Sequence, residues 1–211
     1  MYTLSTINLG KKINNKIIFE DININMYSER IYGFMGQNGS GKTMLLRILA
    51  GLVRPSTGHI LLNGNEYIPF QNRELSTGIV IENINLYANM TAYENLKLLA
   101  KINNKIKDSE VRQAIHSVGL DPYDKTKIGK YSLGMRQKVI LAQAIMEKPS
   151  LLLLDEPANS LDNISKTNFY NQLLDLSKEN CIIAITCHNQ EDILDICDTV
   201  YAFQNGTLKK I

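Results

Sequence analysis

No run of apolar residues in the chain approaches the ~18–20 needed to cross a bilayer. The N-terminus, MYTLSTINLGKK, also lacks the charged-then-apolar pattern of an export signal. Any service to a membrane is therefore expected from outside it, through a partner. Cysteine is scarce: Cys181, Cys187 and Cys197 form no C-x-x-C pair and leave one over in any disulfide scheme. Lying in or beside apolar segments, they read as reduced, buried thiols of a cytosolic protein. Cys187 and His188 are adjacent, which makes them poor joint metal ligands. A large excess of one charge is missing too: the formal net charge is +2, which supports neither a nucleic-acid footprint nor an acidic tail. Lysines are scattered, and their densest group, Lys11, Lys12 and Lys16, reads as a solvated face. There is no internal repeat and no low-complexity linker. What is there, 211 residues at 44% hydrophobic and 21% charged, suits one generous domain or two small lobes.

Apolar patterning divides the chain into three parts. Residues 21–27, DININMY, alternate with period two and predict a half-buried antiparallel strand. IYGFM (31–35) predicts a buried strand, TMLLRILAG (43–51) a helix with Gly51 at its C-terminal cap, and HILLNGN (59–65) a hairpin about Asn63-Gly64. GIVIE (78–82) predicts another short strand. Helices are then expected from Thr91, where T-x-x-E makes a capping box with Glu94, to about Lys101, over 109–120, and over about 132–146. Beyond them, strands at 151–154, 181–186 and 199–203 alternate with helices at about 165–178 and 190–197. The sequence ends at NGTLKKI, just after the last expected strand. The whole predicts a mostly parallel α/β core with an antiparallel N-terminal portion.

Two segments carry chemistry. GQNGSGKT (36–43) fits G-x-x-x-x-G-K-[ST] between a predicted strand and a predicted helix, the context a phosphate-binding loop requires. Its glycines, Gly36, Gly39 and Gly41, allow successive N–H groups to turn inward, and the helix N-terminus adds positive dipole. Lys42 is expected to reach the β- and γ-phosphates of ATP and the Thr43 hydroxyl to ligate Mg²⁺. With Gln37, Asn38, Ser40 and Met44 these residues complete the expected nucleotide-binding set. The second segment, LLLLDEP (151–157), runs four leucines into two acids. A buried strand ending beside the loop would hold both carboxylates in place. Asp155 is then expected to hold Mg²⁺ through its water shell and Glu156 to polarise an attacking water.

With these motifs in order, the chain resembles the ATP-binding cassette (ABC) ATPases, the motor subunits of ABC transporters, over nearly its whole length. YSLGMRQK (131–138) resembles the family signature Leu-Ser-Gly-Gly-Gln, SLD (160–162) the D-loop, and His188 in AITCHN the switch histidine. The resemblance implies a single cassette with a RecA-like P-loop NTPase core (about 1–87 and 148–211) and an α-helical subdomain (about 88–147). It implies that two cassettes pair head to tail on ATP, with Ser132 and Gly134 of one gripping the γ-phosphate held by the other. His188 would sense that phosphate, and Asp162 would bridge the subunits. His59 and His116 are expected to be buried histidines without such a role.

Three departures from the family pattern stand out. Glu82 falls where a Mg²⁺-touching Gln is usual, unless the register slips by one and Asn83 faces the site. Glu at this place resembles cassettes of bacitracin- and lantibiotic-resistance exporters. The signature has Leu133 and Met135 where Gly and Gln are usual. Ile13 occupies the place of the aromatic residue that stacks on adenine, which implies weaker or less base-selective ATP binding. The resemblance thus implies an ATPase at the cytoplasmic face of the membrane, joined to an integral permease, exporting peptides or drugs and binding no nucleic acid. Alternatives are an importer cassette, a soluble cassette acting on nucleic acid or ribosomes, and a regulatory subunit that no longer hydrolyses ATP. The compact helical insertion, the single cassette and the modest charge weigh against the second, and the presence of Glu156 and His188 against the third.

Overall fold

The computed structural model describes residues 1–69, 71, 74–81, 84–187 and 191–211. In chain order its elements are β1 (Thr3–Ile13), β2 (Lys16–Tyr27), β3 (Arg30–Met35), α1 (Lys42–Leu49), β4 (Thr57–Leu62), β5 (Asn65–Glu66) and β6 (Thr77–Val80). Next come α2 (Ala92–Asn103), α3 (Asp108–Ser117) and α4 (Leu133–Ile145). The C-terminal part holds β7 (Leu151–Asp155), α5 (Asn163–Ser177), β8 (Ile182–Cys187), α6 (Glu191–Leu194), β9 (Thr199–Gln204) and β10 (Thr207–Lys210).

Two sheets result. One is antiparallel, in the order β2-β1-β4-β5; the other runs β10-β9-β3-β8-β7-β6, parallel except for β10. This is the expected α/β architecture, with the antiparallel portion N-terminal and α2–α4 gathered about their own apolar cluster. The four leucines of β7 are all fully buried, and they alternate: Leu151 and Leu153 join the core shared with α1 and the antiparallel sheet, whereas Leu152 and Leu154 join the core under α5. A strand covered on both faces has no polar side, which is why the run is unbroken. Burying each leucine contributes about 1.5–3 kcal/mol, so the point where β7 ends is firmly set.

Several expectations need correction. The strand predicted at 21–27 begins at Lys16 and is preceded by a further strand, β1, that the periodicity did not reveal. Residues 207–210, read as lying past the last strand, form β10. The helix expected over 190–197 spans only Glu191–Leu194. His59 and His116 are exposed rather than buried; His59 points out of the antiparallel sheet with Nδ1 2.9 Å from Glu66 Oε1. The hairpin at Asn63-Gly64 forms as expected, both residues taking positive φ (52° and 82°), as does the Thr91–Glu94 capping box. The cysteines are free thiols, Cys181 and Cys187 buried and Cys197 partly so.

Candidate nucleotide-binding and hydrolysis site

The site lies at the C-terminal ends of β3, β8 and β7, three neighbouring parallel strands. Strand β3 leads into the loop 36–41, which closes at Gly41 (φ 111°), the residue before α1. A side chain there would be strained by that backbone and would meet Phe19 at 3.0 Å. Helix α1 therefore starts with its free N–H groups over the loop, an arrangement suited to an anion.

Lys42 is 4% exposed, and its ammonium donates to the carbonyls of Gly36 (2.7 Å) and Gln37 (3.2 Å). Its Nζ also stands 3.9 Å from Glu156 Oε1. The Thr43 hydroxyl donates to Asp155 Oδ2 at 2.7 Å, so the loop and the acidic strand meet through these two side chains. Asp155 receives a second hydroxyl: Thr186 Oγ1 donates to Oδ1 at 2.6 Å. The same Thr186 oxygen accepts the Glu156 N–H at 3.0 Å. Glu156 has φ 48°, a left-handed backbone that costs a non-glycine residue roughly 1–2 kcal/mol. Its Oε2 accepts from Asn159 Nδ2 at 2.8 Å. The backbone turn thus sends Asp155 and Glu156, adjacent in sequence, to different partners.

Two clefts flank the loop, with volumes of about 280 and 550 Å³. The first runs along Asn38–Met44 to Glu156; the second is closed by Phe203 and the β9–β10 turn at Gln204–Gly206. Ile18 of β2 lines both. Ile13 ends β1 and is 42% exposed. Ser40 Oγ is buried in the loop without a hydrogen-bond partner, a donor suited to a phosphate oxygen. The donor set also fits Mg²⁺, since a hydroxyl and a carboxylate oxygen already lie side by side. Among the described residues no group of three His, Cys, Asp or Glu side chains gathers, and an ion that takes its other oxygens from water and phosphate needs none.

Ser132 and Gly134 open α4 away from these clefts. Ser132 caps the helix, its Oγ accepting from Met135 N at 3.2 Å, and is exposed along with Leu133. Asp162 caps α5 by accepting from Ser165 N at 2.9 Å, and this backbone hydrogen bond, with that of the Ser165 hydroxyl, holds its carboxyl below the usual range. Gln137 of α4 donates to Pro157 O at 2.9 Å, tying the signature helix to the turn after Glu156. Glu82 and His188 both lie outside the described residues. Sequence reasoning missed Thr186, Asn159, Ile18 and the turn at 204–206. Thr186 stands two residues before His188, but nothing in its local sequence marks it.

Sheet order and loop together define a P-loop nucleotide-binding cassette. The family described as ABC transporter matches residues 19–159. A relative, the uncharacterized ABC transporter ATP-binding protein YybJ of Bacillus subtilis, is 39% identical over 98% of this chain and 94% of its own. The bacitracin transport ATP-binding protein BcrA of Enterococcus faecalis is 36% identical over 98% of this chain and 68% of its own. The spermidine/putrescine import ATP-binding protein PotA of Spiroplasma citri is 32% identical over 97% of this chain and 59% of its own. In fold the chain is similar to the ABC transporter cassette MJ0796, solved as a dimer, with a TM-score of 0.84, 20% identity and 98% of both chains covered. The chain belongs to the ABC transporter family, as one of its ATP-binding ATPase subunits. No helix among its described residues is long and apolar enough to cross a membrane.

Proposed function

We propose that the chain is the Mg²⁺-dependent, ATP-hydrolysing motor of an exporter of peptides or drugs, working as a homodimer that closes on ATP against an integral permease at the cytoplasmic face of the membrane. The observation that carries this reading is the meeting of loop and acidic strand, Thr43 on Asp155 at 2.7 Å with Lys42 and Glu156 beside them. On this reading the loop N–H groups, Ser40 and Lys42 bind and orient the phosphates. Thr43 and Asp155 would hold Mg²⁺, which when bound offsets phosphate charge, with Glu82 as a further oxygen. The Glu156 carboxylate accepts a proton from the attacking water. Ser132 and the Gly134 N–H of one copy grip the γ-phosphate held by the other, His188 contacts the same phosphate, Asp162 bridges the copies, and Ile13 takes the base side. Ser132 Oγ, an acceptor toward Met135 in its cap, keeps its proton for that contact.

Export of peptides or drugs is the reading implied by Glu82, which resembles the cassettes of bacitracin- and lantibiotic-resistance exporters, and a relative named for bacitracin transport is 36% identical to this chain. The test is Glu156→Gln. Its turnover is expected to fall by about 10²–10⁴, and in size exclusion it should shift from monomer to dimer only with ATP and Mg²⁺. Turnover unchanged in the variant would leave a nucleotide-binding regulator instead. An absent shift, with nucleotide still bound, would remove the homodimer from the proposal.

A further inference from the structure

We infer that Thr186 is a positioning residue of the hydrolytic site, one hydroxyl that sets the geometry of both Asp155 and Glu156. The inference rests on the reading of the site as an ATP-hydrolysing one. Strand β8 lies between β3 and β7, and Thr186 pairs in register with Asp155 on one side and Phe34 on the other. It is 1% exposed, so its hydroxyl has no recourse to water. A hydroxyl offers one proton and two lone pairs. Here the proton goes to Asp155 Oδ1 at 2.6 Å, the length of a charge-assisted bond, and a lone pair receives the Glu156 N–H at 3.0 Å.

Each bond has its own consequence. Asp155 has two oxygens, and Thr186 fixes one so that the other faces Thr43, at 2.7 Å. Without that anchor the carboxylate is free to rotate about its own bonds and leave the phosphate loop. The Glu156 N–H bond supports a residue at φ 48°, a conformation that persists only where its surroundings hold it. Losing the acceptor leaves a part-buried N–H without its partner and lets the turn relax toward extended backbone, which moves the Glu156 carboxylate away from Lys42. Thr186 touches neither nucleotide nor water on this account; it acts through its two neighbours.

The test compares the parent chain with Thr186→Val, Thr186→Ala and Thr186→Ser. Binding of the fluorescent analogue mant-ATP is titrated with Mg²⁺ and with EDTA, and ATP turnover is measured beside it. In the two variants without the hydroxyl, mant-ATP affinity in EDTA should stay within about twofold of the parent, the tightening given by Mg²⁺ should shrink by about tenfold, and kcat should fall by about ten- to a hundredfold with KM little changed. Thr186→Ser should restore both readouts to within about threefold. Retention of the EDTA affinity reports a folded loop, and because Val keeps the shape while Ala opens space, a packing effect would separate the two. The inference is overturned if Val and Ala match the parent in the Mg²⁺ increment and in kcat, or if Ser fails as they do. A parent that gains nothing from Mg²⁺ would instead overturn the reading of the site beneath it.

Discussion

Asp155 and Glu156 are neighbours in the chain, yet their carboxyl groups meet different side chains: Thr43 and Thr186 for the first, Asn159 and Lys42 for the second. Alternation along a strand would send two successive residues to opposite faces. The left-handed turn at Glu156 is what keeps both at one strand end. At the same scale the cysteines are set apart from any chemistry. Burial pushes the thiols of Cys181 and Cys197 up to about 12. Since the thiolate is the reactive form, almost none is present at pH 8. Ellman's reagent is therefore expected to react with neither in the native protein and to find all 3 cysteines after denaturation. A fast native reaction at either position would contradict the burial described.

Among the elements, β6 and α4 make one close backbone approach. A Cβ at Gly78 would stand 2.1 Å from the Ala144 carbonyl, so helix and strand touch backbone to backbone there. Helix α4 begins at the Ser132 cap, and Gly78 thereby fixes the far end of the helix that presents the signature. Gly78→Ala is expected to destabilise the fold by about 1–3 kcal/mol, lowering the melting temperature by roughly 2–4 °C for each. A variant melting with the parent would show that the helix can ride over a methyl group. Element by element, legibility followed the strength of periodicity. α2 was readable because its capping box is written in four residues. β1 was not: register shifts between Thr6 and Leu9 and again between Leu9 and Lys11 break its alternation, and Asn8 turns to φ 47°. β10, a polar TLKK, is a strand only because β9 offers it hydrogen bonds.

For the whole molecule, the phosphate loop could be read from sequence because its parts are contiguous, whereas Thr186 and the turn at 204–206 join the site through strand order. The sequence does not state that β8 lies between β3 and β7, and without that order a threonine in AITCHN is one polar residue in an apolar strand. Lys42 ties the site to the stability of the entire chain. Nucleotide at a hundredfold excess over its dissociation constant is expected to add about 2.7 kcal/mol to the folded state, or roughly 5–10 °C in melting temperature, and Lys42→Met should abolish that shift. In the absence of nucleotide, the same variant is expected to melt no lower than the parent. The ammonium is 4% exposed, and its near neighbours are two carbonyls and, at 3.9 Å, one carboxylate. Removing a cation from water is costly, and that cost falls on folding, before any ligand arrives. The stability the fold gives up to bury this charge and the grip it offers a phosphate thus rest on one side chain.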